Sequence, residues 1–425
     1  MLSSTSHPQH PDPTVRVVVV NFDGGEITLR CVEALRATHF PRERLEIVVV
    51  DNGSVDGVKS ALRERYPDVV VIASDTNEGF ARGCNFALRD LDGIDFVALI
   101  NNDAVVEPNW LRPLLDGFTH ARVGAVCPKL LLNIHAHVVL LEPANVTALP
   151  DGRSVGVRVD RVIVNGDEET ATVRFDERFW SVDRENHDGG RWSKGSASVW
   201  WAVSDCDTAD HVTLYVAAPS TSTMLVGPPG SLQPTKLNAT PTPVSFAIDS
   251  TNRIINSAGG ELYSGWFGGD RGFLEPDIGQ YDEPMEVFSW CGGAVLLRSD
   301  YLREVGLFDP SYFLYYEDFD LSWRGRSAGW TYRYEPGSVV YHEHAYSSRS
   351  GSEFFKFWVD RNRRLTLVKN APATVALRAV AGAVKRRSGF WSFARALPAA
   401  MRARHRLNGK RVVPRSEIAA WMLQK

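Results

Sequence analysis

The chain has 425 residues, 44% of them apolar, and its 47 Lys and Arg against 51 Asp and Glu leave a formal charge of −4. That length allows two or three domains with a sizeable core, and the mildly acidic total argues against a general nucleic-acid binder. No apolar run approaches the roughly 18 residues of a membrane-spanning helix, and Met1 to Pro13 lacks the basic-then-apolar layout of a signal peptide, so a disordered leader over 1–13 and a cytoplasmic protein are expected.

Four short apolar runs open the chain: Val17–Val20, Ile47–Val50, Val69–Ile72 and Phe96–Ile100. Runs of this kind suit strands buried on both faces of a parallel sheet. Helical spacing lies between them, at Leu29, Val32 and Leu35 and again at Val58 and Leu62. The alternation predicts an α/β unit with right-handed crossovers. Ligands of such sheets sit beyond the carboxyl ends of the strands. Those ends carry Asn21 and Asp23, Asp51 and Asn52, Asn77, and Asn101, Asn102 and Asp103.

After about Asn133 the pattern changes to period two, as in Val155, Val157 and Val159, with turn signals such as Asn165-Gly166. Residues 134–246 are therefore expected to form an antiparallel β domain, inserted into an α/β domain made of 14–133 and 247–352. The α/β texture returns with a Gly-rich stretch over 259–279, a strand-like Gly293–Arg298, and a helix over Glu317–Arg326. From 353 to 425 the chain reads as a basic helical extension. Cys31, Cys84, Cys127, Cys206 and Cys291 are scattered and odd in number, which fits neither a disulfide framework nor a zinc site. They read as buried small apolar residues.

Three constellations carry chemistry. Asn101-Asn102-Asp103 follows an apolar strand; a carboxylate with neighbouring amides can hold a divalent cation and phosphate oxygens, although Asn and Asp after a strand are also ordinary turn formers. Tyr315-Tyr316-Glu317-Asp318-Phe319-Asp320 puts three acids at a helix start, where they complement the helix dipole or turn one carboxylate into a cleft as a general base. Tyr341-His342-Glu343-His344 is not the H-E-x-x-H of zinc proteases. Its His342 reads as a structural residue or as a partner for the two acidic clusters.

In order and spacing, these groups resemble the family 2 glycosyltransferases, with the bacterial rhamnosyltransferase and galactofuranosyltransferase branch the nearest in look. The motifs are Val50 to Asp56, Asn77 to Asn85, Asn101-Asn102-Asp103, Tyr316 to Arg324, and Tyr341-His342. The resemblance covers about Val15 to Asn133 and Ala247 to Asn370, and not the β insert. It implies a GT-A fold, a nucleotide-diphospho-sugar donor, a divalent metal (Mg or Mn) and inverting transfer to a glycan or lipid-linked cell-envelope acceptor. By position it places Asn21, Asp51, Asn77, Gly79, Asn85, Asn101 and Asn102 at the donor, with Asn101 standing where the family has the first acid of its D-x-D motif. It makes Asp103 and His342 the metal ligands and Asp318 the base. Trp290, Gly292, Gly293 and Glu317 fall where the family shapes its acceptor pocket. The Gly-rich stretch reads either as a mobile loop closing over the donor or as a surface connection.

Ala371 to Lys425 holds twelve Lys or Arg against the single acid Glu417, a charge of +11, which leaves −15 on the rest. Basic helices carrying Phe390, Trp391 and Phe393 suit an anionic membrane surface, which would make the protein peripheral on the cytoplasmic face. The plainer alternative packs them on the acidic body. Trp180, Trp192, Trp200 and Trp201 of the insert read as its core or an oligomer contact, with glycan stacking as the other use. Two competing functions are weighed against transfer. A sugar nucleotidyltransferase needs a basic Gly-rich loop after the first strand, and Asn21 to Glu26 is acidic. A non-catalytic glycan-binding or scaffold protein has no need to keep Asp103, Asp318 and His342 together.

Overall fold

The computed structural model describes residues 12–168, 173–180, 190–204, 208–343, 352–385 and 389–423. Expectations resting on residues 1–11, Cys206, His344, Arg386 and Arg387 lie outside the described residues. The chain divides into two compact units. One takes residues up to Leu130, Ser257–Arg271 and residues from Asp282 onward; the other takes Leu131–Asn256 and Gly272–Tyr281.

In the first unit β1 (Val15–Asn21), β2 (Leu45–Asn52), β3 (Val70–Ser74) and β4 (Phe96–Ile100) form a parallel set in the order β4-β1-β2-β3. The register sets Asn21 beside Asp51 at the carboxyl ends. Helices α1 (Gly25–Arg36), α2 (Val58–Arg65) and α3 (Phe80–Leu88) follow β1, β2 and β3 in turn. Val17, Val19 and Val49 share one core with Leu29, Val32 and Leu35 of α1. The Val69–Ile72 run departs from the expected double burial, because β3 is the edge strand and leaves Val70 44% exposed.

Past β4 the sheet becomes antiparallel. The strand Ala294–Arg298 runs between β4 and β6 (Val123–Leu132), and the strand Thr331–His342 lies beyond β6. The short β5 (Ala104–Val106) pairs with the end of that strand and sets His342 opposite Ala104. Sheet pairing thus brings the polar end of β4 to His342 across 240 residues of chain. Helices α4 (Leu111–Asp116), α5 (Ser299–Val305) and α6 (Glu317–Ser327) complete the α/β part. The basic extension forms α7 (Glu353–Asn370), α8 (Ala373–Lys385), α9 (Phe390–Lys410) and α10 (Arg415–Ala419).

Part of the Gly-rich stretch is ordered sheet rather than a mobile loop. Gly260–Tyr263 pairs antiparallel with Phe267–Asp270 and in parallel with Met422–Leu423. Trp266 stacks on Trp323 of α6 with ring centroids 5.7 Å apart, and a Cβ on Gly268 would meet the Phe319 ring.

The second unit is a β-sandwich. One sheet holds Arg158–Val164, Asp210–Ala217 and Thr242–Ile248; the other holds His135–Pro143, Ala197–Val203, Ser222–Gly227 and Gln233–Leu237. Val159, Val162, Val212 and Leu214 from the first sheet share a core with Val139, Leu141, Val199 and Trp201 from the second. Asn165 and Gly166 both have positive φ (52° and 92°), as a tight hairpin turn requires. Trp200 and Trp201 are buried, while Trp180 and Trp192 are half-buried.

Candidate active site

Asn21 is fully buried at the end of β1 and works as a hub. Its Nδ2 donates to Asp51 Oδ1 (3.2 Å) and Ser54 Oγ (2.9 Å), and its Oδ1 accepts from Gly24 N (3.2 Å), Thr28 Oγ1 (2.6 Å) and Asn102 Nδ2 (3.2 Å). Asn21 and Asn102 therefore spend their amides on holding the strand ends together. Asp51 differs. Its carboxylate is buried, and among the described residues its Oδ2 accepts no hydrogen bond, with Lys59 Nζ 4.0 Å away. A buried acceptor without a donor is costly unless a ligand supplies one.

Asn77 and Gly79 form the next corner. Asn77 Oδ1 accepts from Gly79 N (2.9 Å) and from Asn52 Nδ2 (3.1 Å), and Asn52 Oδ1 accepts from Glu78 N (3.0 Å). Asn52 was legible only as a polar strand end, yet it organises this turn. Gly79 has φ +80° and ψ 171°, and a Cβ there would strike the Phe313 carbonyl, whose oxygen accepts from Phe80 N (2.8 Å). Asn85 points elsewhere: its amide exchanges two bonds with the Phe308 backbone and fastens that loop to α3.

The end of β4 meets the last long strand at His342. Asp103 Oδ1 lies 2.9 Å from His342 Nε2, and Asn101 Nδ2 lies 3.3 Å from the same nitrogen. Asp103 and His342 are both buried. Asp103 Oδ1 and His342 Nε2 thus face each other with the Asn101 amide beside them; the carboxylate oxygen and the imidazole nitrogen are the two atoms that could ligate Mg²⁺ or Mn²⁺, with diphosphate oxygens filling the remaining positions. Among the described residues no group of three or more His, Cys, Asp and Glu side chains is placed to hold a metal ion. The described residues supply a partial shell.

Helix α6 carries the acids. Tyr315 and Tyr316 both adopt left-handed backbone, with φ 68° and 69°, and turn the chain so that the helix starts at Glu317. Asp318 Oδ2 accepts from Gly292 N (3.0 Å) and Oδ1 from Phe319 N (2.7 Å). Burial raises its carboxyl above the usual range, against the pull of those two amides. Glu317 is buried, and its Oε2 accepts no hydrogen bond among the described residues; burial and then the neighbouring Asp318 push its carboxyl well up. Asp320 is spent on Arg324, Lys369 and Asn370. Of the acids that open α6, Asp318 alone combines partial exposure with fixed orientation.

The residues expected to shape an acceptor pocket divide. Gly292 supplies the amide that holds Asp318, and a Cβ on Gly293 would lie 3.0 Å from Leu130 and 3.8 Å from His342 Cε1. Trp290 is 1% exposed and packs edge-on against Phe308, 6.2 Å between centroids, so it is interior. The cysteines Cys31, Cys84 and Cys127 are buried and Cys291 is half-buried; burial pushes all four thiols up, that of Cys127 to about 12.

Residues 16–135 match the family model described as Glycosyl transferase family 2. The chain carries a family 2 glycosyltransferase domain. Glycosyltransferase AglE of Haloferax volcanii is 26% identical over 103 residues, which is 24% of this chain and 34% of that protein. An N-acetylglucosaminyl-diphospho-decaprenol L-rhamnosyltransferase of Mycobacterium tuberculosis is 43% identical over 68 residues, 16% of this chain and 22% of that one. The pre-mycofactocin glycosyltransferase of the same species is 32% identical over 127 residues, 30% and 25% of the two chains. The chain thus spans about a third or less of these curated relatives. A crystal structure of GalNAc-T7 with UDP, GalNAc and Mn²⁺ superposes with a TM-score of 0.52 at 14% identity, covering 93% of this chain and 54% of that one. At that identity the likeness concerns the fold, which is GT-A with a C-terminal helical region.

Proposed function

We propose that the protein is an inverting glycosyltransferase that moves a sugar, rhamnose or galactofuranose, from a nucleotide-diphospho-sugar to a lipid-linked or polymeric cell-envelope glycan. The observation that carries the reading is Asp318, a partly exposed carboxylate aimed by the Gly292 amide 3.0 Å away. The acceptor hydroxyl must lose its proton as the new bond forms, and a carboxylate at hydrogen-bond range accepts it. Asp318 takes that proton, and its raised pKa sharpens it as a base. Asp51 Oδ2, which accepts no hydrogen bond among the described residues and has Lys59 Nζ 4.0 Å away, accepts an N–H of the nucleobase, and Asn21 and Asn102 hold the carboxylate in place. Asp103 and His342, with Asn101 beside them, would hold Mg²⁺ or Mn²⁺; when bound there, the ion stabilises charge on the leaving diphosphate without proton transfer. A single displacement needs one carboxylate at the anomeric carbon, unlike the pair of a glycoside hydrolase.

The rhamnosyltransferase relative supports the sugar assignment through its 43% identical segment. Among the described residues no helix is long and apolar enough to cross a membrane. The extension supports peripheral attachment on the cytoplasmic face instead. Leu377 and Val384 of α8 and Trp391 and Met401 of α9 are exposed, among them Arg395, Arg402 and Arg406. Each basic residue near an anionic surface adds about 1 kcal/mol. The test is thermal stabilisation by UDP-, dTDP- and GDP-linked sugars with and without Mn²⁺ or Mg²⁺. A ligand at 100 times its dissociation constant adds about 2.7 kcal/mol. Metal-dependent stabilisation by one nucleotide class is expected, and no response to any of them would overturn the proposal.

A further inference from the structure

Helix α7 buries a polar stripe. Arg361, Asn362, Thr366, Lys369 and Asn370 are each at most 7% exposed, and their spacing puts them on one face. All five reach the same short stretch of chain, residues 309–320. Arg361 Nη1 donates to Ser311 O (3.0 Å), and Thr366 Oγ1 lies 2.8 Å from the Tyr312 hydroxyl. Asn362 Nδ2 donates to Leu314 O (2.9 Å) and Tyr315 O (2.8 Å). Lys369 Nζ bridges Asp309 Oδ2 (2.8 Å) and Asp320 Oδ2 (2.6 Å), and Asn370 Nδ2 donates to Asp320 Oδ1 (2.9 Å).

A helix that merely docks on a core does so more cheaply with apolar side chains, because removing a charge such as Lys369 from water costs several kcal/mol before its partners repay it. The apolar packing is in any case present in Leu365, Leu367 and Val368 of the same helix. What the polar stripe adds is direction. It grips both sides of the Tyr315–Tyr316 corner, where two bulky residues sit in strained left-handed backbone, with φ 68° and 69°. Without an outside hold that corner would relax, and the first turn of α6 would rotate away from Gly292.

We propose that Asn362 and Lys369 are positioning residues for transfer: Asn362 holds the left-handed corner, Lys369 pins Asp320, and together they fix the Asp318 carboxylate against the Gly292 amide. The proposal rests on the reading of Asp318 as the base. In the full chain, Asn362→Ala and Lys369→Met are compared with wild type by nucleoside diphosphate release from UDP- and dTDP-linked sugars in the presence of Mn²⁺. A displacement of about 1 Å at a reacting group costs on the order of 100-fold, so kcat is expected to fall roughly 10- to 100-fold while the donor KM stays near wild type. The acid limb of the kcat profile moves to higher pH, because the Gly292 N–H bond that favours the carboxylate is loosened. Lys369→Arg keeps the charge and restores most of kcat.

A role in folding alone gives a different result: kcat falls only by the fraction of unfolded protein, with the acid limb unmoved, and that would overturn the proposal. Hydrogen exchange over 311–321 supplies the reading without activity. The corner is expected to lose protection in Asn362→Ala and in Lys369→Met and to keep most of it in Lys369→Arg, and unchanged protection in the first two refutes the clamp. Full turnover by Asp318→Asn would instead sink the base assignment, whatever the α7 variants do.

Discussion

Glu317→Gln separates a buried neutral acid from a buried charge. Glu317 is 5% exposed, its Oε2 accepts no hydrogen bond among the described residues, and Asp318 stands beside it. Burial therefore keeps the folded-state carboxyl protonated well past the pH at which the unfolded chain releases its proton, near 4.3. Between those two pKa values the native state holds more protons than the unfolded state, so stability falls as pH rises. The slope is about 1.4 kcal/mol per pH unit for one proton. Glutamine has nearly the same shape and no proton to lose, so this slope is absent in the variant. Any fixed cost of the extra amide donors shifts its curve without tilting it. Over the interval between the two pKa values the variant gains on wild type by up to about 1.4 kcal/mol per pH unit, read as a Tm that rises relative to wild type as the pH is raised. Calorimetric scans of both proteins at pH 5, 6, 7 and 8 measure it. Parallel curves would refute the reasoning and place an ionised Glu317 in the interior.

Asp318→Asn keeps the shape of the side chain and removes the base, so metal-dependent stabilisation by nucleotide sugar persists and transfer is lost; normal turnover would refute the assignment. In wild type the acid limb of kcat lies above the ordinary carboxylate range, because burial raises the Asp318 carboxyl. Asp103→Ala leaves the His342 imidazole and the Asn101 amide without their carboxylate, and the expected defect is loss of the Mn²⁺-dependent part of donor binding in a thermal shift titration. Equal donor affinity with metal present counts against the ligand role. Gly79→Ala drives a methyl into the Phe313 carbonyl at a backbone geometry that glycine alone adopts readily, so a loss of about 2–4 kcal/mol in urea unfolding is expected from strain and the lost Phe80 bond. A change under about 0.5 kcal/mol would show that the turn relaxes freely.

The parallel sheet was readable because its signal is local. Val17–Val20 and Ile47–Val50 are apolar whichever neighbour they meet, and the polar residues that end them fall where the register sets Asn21 beside Asp51. The edge position of β3 was hidden, since a β-branched run looks the same at an edge as in the middle. The return of 272–281 to the β unit depends on pairings such as Ile255 N to Glu275 O (2.8 Å), which leave no periodic trace. At the site, the motifs marked Asp51, Asp103, Asp318 and His342, whereas residue type alone could not tell Asn21 and Asn102, which hold other residues, from a side chain that faces a ligand. Trp290 gave no sign of its burial. Arg361 and Lys369 read only as part of a basic helical extension, because a buried cation is recognisable only through partners distant in sequence, such as Ser311 for Arg361 and Asp309 and Asp320 for Lys369.

The pairing of Lys369 with Asp309 and Asp320 also constrains how this site can change over evolutionary time. Replacing the lysine alone leaves Asp320, still held by Arg324 and Asn370, facing the half-buried Asp309 without the cation between them, which is destabilising. Replacing either aspartate alone removes half of the compensation for a buried ammonium. Substitutions here are therefore accepted as a set, and lineages that keep one member of the triad should keep all three. Joint variation at positions 309, 320 and 369 would be a marker for this helix arrangement in sequences whose donor and acceptor motifs have diverged.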